Sequence, residues 1–253
     1  MTNKTITNMK LRPMKNFLLG ITATALIASC TSSEDEAPVE AQSEVTIAAT
    51  LGSSINDAGA RTSDLIQGNF KIQDVKLSVD NVKLILRATS QDSKKPTIVQ
   101  IRDRDPQILD LVDDGEIKVA PIGSAMAYDG VYGKLTLDLV HADVPEEDDM
   151  SGYSVMIKAS WFDIPAIVNV DLEGEWVVQF NQGIEVDGAQ EMLLTMYYDK
   201  ILEDVPPSLV GDGNGDGLIE LGPNNVDDNG EAYDMIVANM EKALVMKNGK
   251  FKD

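Results

Sequence analysis

Apolar and polar residues alternate through most of the chain between residues 44 and 200. Val45, Ile47, Ala49 and Leu51, for example, would lie on one face of an extended segment. Successive side chains of a strand point to opposite faces, so the alternation indicates strands with one buried face. The segments with this pattern are EVTIAATL, NFKIQDVKLSVDNVKLIL, GKLTLDLV, SVMIKASW, IVNVDL, EWVVQF, GIEV and EMLLTMYYD.

The longest of these segments changes phase in its middle. Val79 belongs to one alternating series, and Val82 and Leu84 continue it with a shift of one residue at Asp80-Asn81. A shift of one residue turns every later side chain to the other face of the sheet. The sequence therefore predicts a bulge or a tight turn at Asp80-Asn81.

About ten short strands with turn residues between them are typical of an antiparallel sandwich or barrel. The turn pairs include Asp114-Gly115, Asp129-Gly130 and Asp187-Gly188. We expect a mainly β protein, an antiparallel β-sandwich of about ten strands in one domain over residues 44–203, which is long enough for one core.

The pattern changes near the end of the chain, where residues 204–253 form a separate C-terminal segment. Apolar residues there recur at the spacing of an amphipathic helix, and we expect this face to pack on the sandwich. Asp227, Asp228 or Asn229 would cap the helix start, and Glu231 adds favourable negative charge to its first turn. Asn248-Gly249 would end it. The apolar stripe consists of Tyr233, Ile236, Val237, Met240, Ala243 and Leu244.

The first 29 residues have the features of an export signal. The stretch MKNFLLGITATALIASC, from Met14 to Cys30, has a basic start, a short apolar run and small residues before the cysteine. The run is shorter than the roughly 20 residues that span a bilayer. The small residues before Cys30 resemble the lipobox of bacterial lipoproteins, in which the signal is cleaved before the cysteine and acyl chains are attached to it. The true start would be Met1, Met9 or Met14.

Residues 30–43 would then be a lipidated cysteine and an acidic, disordered tether. Thr31 follows the cysteine in place of the Asp that resembles an inner-membrane retention mark, which favours the outer membrane. The cluster Ser33-Glu34-Asp35-Glu36 is similar to the surface-export signal of lipoproteins in one Gram-negative phylum. We expect an outer-membrane lipid anchor and display at the cell surface, with the periplasmic face as the alternative.

The charge of the chain excludes several classes of partner. The formal net charge is −21, and it becomes −25 without the first 29 residues, which carry four basic residues and no acidic one. Nucleic acid is a poor partner for such a chain, and no glycine-rich phosphate loop suggests a nucleotide. Membrane contact should come from the lipid alone.

The chain has one cysteine and one histidine. If Cys30 carries lipid, no disulfide and no thiolate metal site can form, and catalysis by a Cys-His or Ser-His-Asp set would depend on His141 alone. His141 follows an alternating run, and we expect it to be a partly solvated residue at a strand end.

Residues 44–200 resemble a family of uncharacterised bacterial lipoprotein domains. The corresponding pieces are VKLSVDNVKLIL, QILDLV, AYDGVYGKLTLDL and LLTMYYDKIL. Gly130 and Tyr132 of the family's turn are kept, whereas Asp129 stands in its proline region. The resemblance implies a β-sandwich lipoprotein and supplies no active site.

The stretch GDGNGDGLIELGPNN, residues 211–225, resembles the first nine positions of EF-hand and dockerin calcium loops. An EF-hand loop provides oxygens from its first, third, fifth, seventh and ninth positions, with glycine at the sixth. These ligands would be the side chains of Asp212, Asn214 and Asp216, the Leu218 carbonyl and Glu220. The twelfth position, which needs an acid, is Pro223.

The missing oxygens would come from Glu220 itself or from residues after the Gly-Pro turn, namely Asn224, Asn225, Asp227 or Asp228. The alternative is a solvated hinge, since Gly, Asn and Asp also suit turns without any metal. If Ca²⁺ binds, we expect it to fix the C-terminal helix against the sandwich.

These features favour a non-catalytic surface or outer-membrane lipoprotein, a binding or accessory module with a protein or glycan partner. One alternative is a carbohydrate-binding module using Trp176, Tyr197 and Tyr198, although only 5% of the residues are aromatic. The other is a polysaccharide hydrolase with two carboxylates. The acids available to it include Asp103, Asp105, Asp110, Asp113 and Asp114.

Overall fold

Two β-sheets make up most of the protein. The computed structural model describes residues 41–55, 65–67, 69–86, 98–102 and 105–248. The predicted signal peptide, Cys30 and all but the last residues of the predicted tether lie outside this part of the chain. The strands are β1 (Gln42–Gly52), β2 (Ile66–Gln67), β3 (Phe70–Leu86), β4 (Ile98–Gln100), β5 (Gln107–Asp113), β6 (Glu116–Ile117), β7 (Val119–Tyr128), β8 (Gly130–Leu139), β9 (Val155–Trp161), β10 (Ile164–Val170), β11 (Gly174–Val186), β12 (Gln190–Tyr197), β13 (Ile219–Leu221) and β14 (Leu244–Asn248).

The smaller sheet, sheet A, has the order β14-β12-β1-β7. The larger sheet, sheet B, follows the path β11-β8-β3-β9-β10-β13, and β2, β4 and β5 also pair with β3. Buried residues of both sheets, such as Ile47 in β1 and Leu135 in β8, belong to one hydrophobic cluster. The predicted mainly β, sandwich-like fold is therefore confirmed.

The sheets are mixed, whereas the alternation pattern was expected to give antiparallel pairing throughout. β1 pairs in parallel with β12, from Val45 opposite Gln190 to Gly52 opposite Tyr197. β10 pairs in parallel with β13. The expectation was wrong at these two pairs because alternation shows which face of a strand is buried and carries no information about the direction of its neighbour.

The phase shift in β3 is a bulge, as the sequence predicted. The pairing of β3 with β8 shifts register between Asp80 and Lys83, and Asn81 has a φ of 50°. The Asn81 backbone N–H donates to Asp80 Oδ1 at 2.7 Å, and the Asn81 side-chain amide donates to Asp138 Oδ2 at 2.7 Å. The extra residue keeps Val79, Val82 and Leu84 all buried.

Two α-helices and one 3₁₀ turn complete the described part of the chain. They are α1 (Tyr198–Ile201), the 3₁₀ turn Pro207–Leu209 and α2 (Gly230–Ala243). The predicted C-terminal helix is thus present, and it buries Ala232, Ile236, Met240 and Ala243. No helix in the described residues is long and apolar enough to cross a membrane.

The helix ends earlier than the sequence suggested. Leu244 starts β14, which pairs antiparallel with β12 and forms an edge of sheet A. Its five residues, which include the β-branched Val245, gain strand hydrogen bonds there, and these outweigh the helical spacing of Leu244.

Candidate functional site: the Asp212 loop

The calcium-like sequence lies at the edge of sheet B. We call residues 211–229 the Asp212 loop. It leaves the 3₁₀ turn, passes through β13, which pairs with β10, and leads into α2. The loop therefore joins the edge of the sheet to the C-terminal helix.

The first part of the loop winds around the Asp212 carboxylate. Asp212 Oδ1 accepts the backbone N–H of Gly215 at 2.7 Å and of Asp216 at 3.1 Å, and Oδ2 accepts that of Gly217 at 2.9 Å. Gly215 and Gly217 have φ values of 78° and 90°, in the region that glycine reaches without steric cost. Gly217 thus makes the sharp turn that the calcium-loop pattern requires.

The side chains of Asn214 and Asp216 meet at the exposed side of this turn. Asn214 Nδ2 donates to Asp216 Oδ2 at 3.1 Å, and the Asp216 backbone N–H donates to Asn214 Oδ1 at 2.8 Å. Asp216 Oδ1 accepts the Leu218 N–H at 2.9 Å. Three of the predicted ligand residues, Asp212, Asn214 and Asp216, are therefore brought together.

Asp227, near the end of the loop, has a buried carboxylate that contacts the first part of the loop. Its side chain is 4% exposed, and its two oxygens accept the backbone N–H of Asn214 at 3.1 Å and of Glu220 at 2.7 Å. Pro223, at the twelfth position, is exposed. A buried carboxylate that accepts two N–H groups ties the first turn of the loop to β13.

Asn229 is the second buried polar residue of the loop, and the sequence indicated it only as a cap. It occupies the N-cap position of α2 without making a side-chain cap hydrogen bond. Its Oδ1 accepts the Gly211 N–H at 3.0 Å, and its Nδ2 donates to the carbonyls of Gly211 and Glu220 at 2.8 and 3.2 Å. The side chain thus links both ends of the loop.

Glu220 lies beside other carboxylates. Partial burial raises the pKa of Glu220 above its ordinary value, and the negative charges of Asp227 and Asp216 raise it further. A cation at this place would relieve the repulsion that these charges create.

Two of the further candidate ligand residues lie in the turn just before α2. Asn225 and Asp228 are exposed and have φ values of 50° and 59° in the turn that leads into α2. The Asp228 N–H donates to the Asn225 carbonyl at 3.3 Å. They shape the turn before the helix.

Across the described residues, no group of three or more His, Cys, Asp or Glu side chains is arranged to hold a metal ion. Backbone N–H groups occupy both oxygens of Asp212 and of Asp227. The loop has the oxygen donors that Ca²⁺ prefers, and calcium binding would require its carboxylates to move closer to one another.

The aromatic residues proposed to face a ligand are buried. The exposed fractions of Trp176, Tyr197 and Tyr198 are 6%, 9% and 6%. This prediction was wrong for the tyrosine pair because Tyr198 begins α1, so the two neighbours do not alternate as in a strand. Among the described aromatic residues, the exposed one is Phe162, at 57%, in the turn between β9 and β10.

His141 lies just after β8 and is partly solvated, as predicted. Its Nε2 is 2.8 Å from Asp171 Oδ1, and its Nδ1 is 3.8 Å from Glu173 Oε1. Both partners are acceptors, so the pair of contacts orients the ring at the surface.

Comparison with known proteins does not assign the chain to a protein family. No protein-family model matches the chain, and no curated protein sequence matches it. Among solved structures, the chain is similar to MbnP from Methylosinus trichosporium, with 13% sequence identity and a TM-score of 0.36. The similarity covers 66% of this chain and 79% of the other, and at this level it carries no argument about function.

Gly213 provides a test of how the loop packs on Asp227. A Cβ atom added at Gly213 would lie 2.7 Å from the Asp227 carbonyl carbon, which is backbone and cannot move aside. We expect Gly213→Ala to lower the free energy of unfolding by about 1–3 kcal/mol, as for other overpacked sites. Urea unfolding followed by tryptophan fluorescence would measure the change. Gly211→Ala is the matched control, because nothing lies within 4 Å of its added Cβ. Equal midpoints for the two variants would contradict the packing described.

Glu220 provides a test of charge repulsion in the metal-free loop. Because its pKa is raised in the folded protein, ionised Glu220 reduces stability as the pH rises through that pKa. We expect Glu220→Gln in EDTA at pH 7 to raise the Tm by about 1 °C, a small effect since the side chain is partly exposed. The difference should disappear below about pH 4, where the wild-type carboxyl is also protonated.

Glu146→Gln, in an exposed turn, removes the same charge away from the loop and should leave the Tm unchanged at both pH values. A Tm gain for Glu220→Gln that persists at low pH would show that the effect is not electrostatic.

Proposed function

We propose that this protein is a non-catalytic binding or accessory module, anchored by lipid on Cys30 to the outer membrane and displayed at the cell surface, with Ca²⁺ bracing the Asp212 loop. The proposal joins the lipobox-like sequence, which lies outside the described residues, to the sandwich-like fold and the loop.

One observation carries the calcium part of the proposal. Asp212, Asp216, Glu220 and Asp227 all belong to one loop, and among the described residues no Lys or Arg lies within salt-bridge distance of any of them. Carboxylates that crowd together without a cation repel one another. A divalent ion that prefers oxygen ligands would neutralise them.

The calcium ligands we propose are the side chains of Asp212, Asn214, Asp216 and Glu220 with the Leu218 carbonyl. Asn225, Asp227 and Asp228 are further candidates from the end of the loop. A bound ion would link the turn around Asp212 to β13, and through the buried Asn229 and Asp227 side chains it would also hold the start of α2. The role of the ion would therefore be structural.

The two alternative functions have less structural support than the calcium-braced module. The burial of Trp176 and of the tyrosine pair removes the aromatic platform on which the carbohydrate-binding alternative depended. For a hydrolase, Asp110 and Asp113 lie at the surface beside lysines, 3.7 Å from Lys76 Nζ and 4.0 Å from Lys118 Nζ. Glycoside hydrolysis needs two carboxyl groups that flank the scissile bond, whereas each of these exposed carboxylates is paired with a lysine.

Thermal unfolding of the full chain in EDTA and in millimolar CaCl₂ tests the calcium brace. If the ion concentration is about 100 times the dissociation constant, stability should rise by roughly 2.7 kcal/mol, or about 5–10 °C in Tm. Asp212→Ala/Asp216→Ala should not respond to calcium. The matched control Glu146→Ala/Glu147→Ala, which removes two acids from an exposed turn, should respond like the wild type. Equal Tm values for the wild type in both buffers would leave the loop a hinge.

The lipid anchor is tested by Cys30→Ser expressed in a Gram-negative host. We expect the wild type to incorporate radiolabelled palmitate and to sediment with membranes, because each buried methylene group of an acyl chain contributes about 0.8 kcal/mol to membrane binding. The variant should lose the label and move to the soluble fraction. Label retained on Cys30→Ser would contradict acylation at Cys30. The control Thr31→Ser keeps the cysteine and should be labelled like the wild type.

A further inference from the structure

We propose that an apolar recess between sheet B and the segment before the Asp212 loop binds a small, uncharged molecule with one or two aromatic rings. This inference rests on the proposed function as a binding module and names the class of ligand that the module would take. It does not depend on whether calcium binds.

The inner wall of the recess is built by sheet B. Phe70 of β3, Val168 of β10 and Leu221 of β13 contribute buried apolar side chains, and Trp161 of β9 is half-buried. Because these side chains come from paired strands of one sheet, hydrogen bonding between the strands fixes this wall.

The outer wall is less regular. Leu202, Val205 and Val210 lie on the segment that runs from the end of α1 to the Asp212 loop, and all three are half-buried. Apolar side chains in a filled core are almost completely buried. Their partial exposure is consistent with a recess that opens to solvent between the two walls.

The size and lining of the recess indicate the ligand class. Its volume is about 220 Å³. An engineered apolar cavity of about 150 Å³ binds benzene, so the recess has room for a molecule with two fused rings. Among the described lining residues the polar side-chain groups are the Asn69 amide and the Trp161 indole N–H, and no residue is charged. A charged ligand would lose its hydration here without gaining a partner.

The aromatic residues favour a ring over an aliphatic chain. The rings of Phe70 and Trp161 meet edge to face, with centroids 5.7 Å apart and an interplanar angle of 64°. Phe162 meets Trp161 in the same manner, at 5.8 Å and 75°. A ligand ring would extend this edge-to-face packing, which is the preferred geometry between aromatic groups.

The turn that carries Phe162 is strained. Phe162 and Asp163 have φ values of 48° and 66°, whereas a two-residue turn of this kind usually contains Asn-Gly. The Phe162 N–H donates to the carbonyl of Asn69, a lining residue, at 3.1 Å. A bulky residue kept at positive φ beside a recess is typical of ligand clamps, where such strain concentrates.

Residues that line the recess lie before, within and after the Asp212 loop in the sequence. Val210 precedes the loop, Leu221 lies within it after the calcium-like turn, and Ile236 of α2, which also lines the recess, follows it. Any restraint on the loop is therefore also a restraint on the recess.

Isothermal titration of the full chain with indole tests the proposal. Indole is uncharged and has two rings, and we expect a Kd on the order of 0.1 mM for a ligand of this size. Val205→Trp should fill the recess and weaken binding at least tenfold. The control Leu209→Trp places the same side chain on the same segment, outside the lining residues, and should bind indole like the wild type. Circular dichroism would confirm that both variants fold. If Val205→Trp does not fold, Leu202→Trp, which also lines the recess, takes its place.

Three outcomes would overturn the proposal. They are no indole binding by the wild type, equal binding by Val205→Trp, and equal binding of the anion indole-3-acetate. The titration is repeated in EDTA and in CaCl₂ so that the two proposals fail separately. Indole binding without any calcium effect on the Tm would support the recess and contradict the brace, whereas a calcium-dependent Tm without indole binding would do the reverse.

Discussion

The pairing of β3 with its neighbours is the constraint on which the architecture depends. This single strand of 17 residues pairs with β2, β4, β5, β8 and β9. The bulge at Asp80-Asn81 corrects the phase between the strand's two halves, so that Leu77 and Val79 before it and Val82 and Leu84 after it are all buried. A regular strand of this sequence would turn half of its valines and leucines toward solvent. The bulge therefore allows β8 and β9 to belong to one sheet.

The C-terminal segment depends on the two sheets in a different way. β13 adds three residues to sheet B, and β14 adds five to sheet A, so both ends of α2 are attached to strands. Between β13 and α2 the apolar residues Pro223 and Val226 are exposed, and the buried side chains of Asp227 and Asn229 supply hydrogen bonds that hold the segment. Desolvated polar groups of this kind are costly when a partner is lost, which makes the segment well defined and also sensitive to single changes.

The sequence predicted the features that depend on local pattern. Alternation located strands such as β1 and β9, the phase shift located the bulge, and the spacing around Ile236 located α2. The glycine and aspartate pattern likewise predicted the turn around Asp212. The sequence did not predict the parallel pairing of β1 with β12, because a strand's partner is chosen by the whole fold. It also missed the burial of Tyr198, because the strand ends there and α1 begins, and the role of Asn229, because its partners are backbone groups of Gly211 and Glu220 that residue type does not reveal.

The parallel pairing of β1 and β12 affects the order in which the protein can assemble. Val45 lies opposite Gln190, so β1 cannot form this pairing until β12, which is synthesised much later, is available. Until then one edge of β1 presents unpaired N–H and C=O groups, which readily pair with strands of other molecules. Contacts so distant in sequence also slow folding. A nascent chain of this protein would thus be vulnerable to aggregation until β12 is synthesised, and a chaperone that covers the edge of β1 would act during that interval.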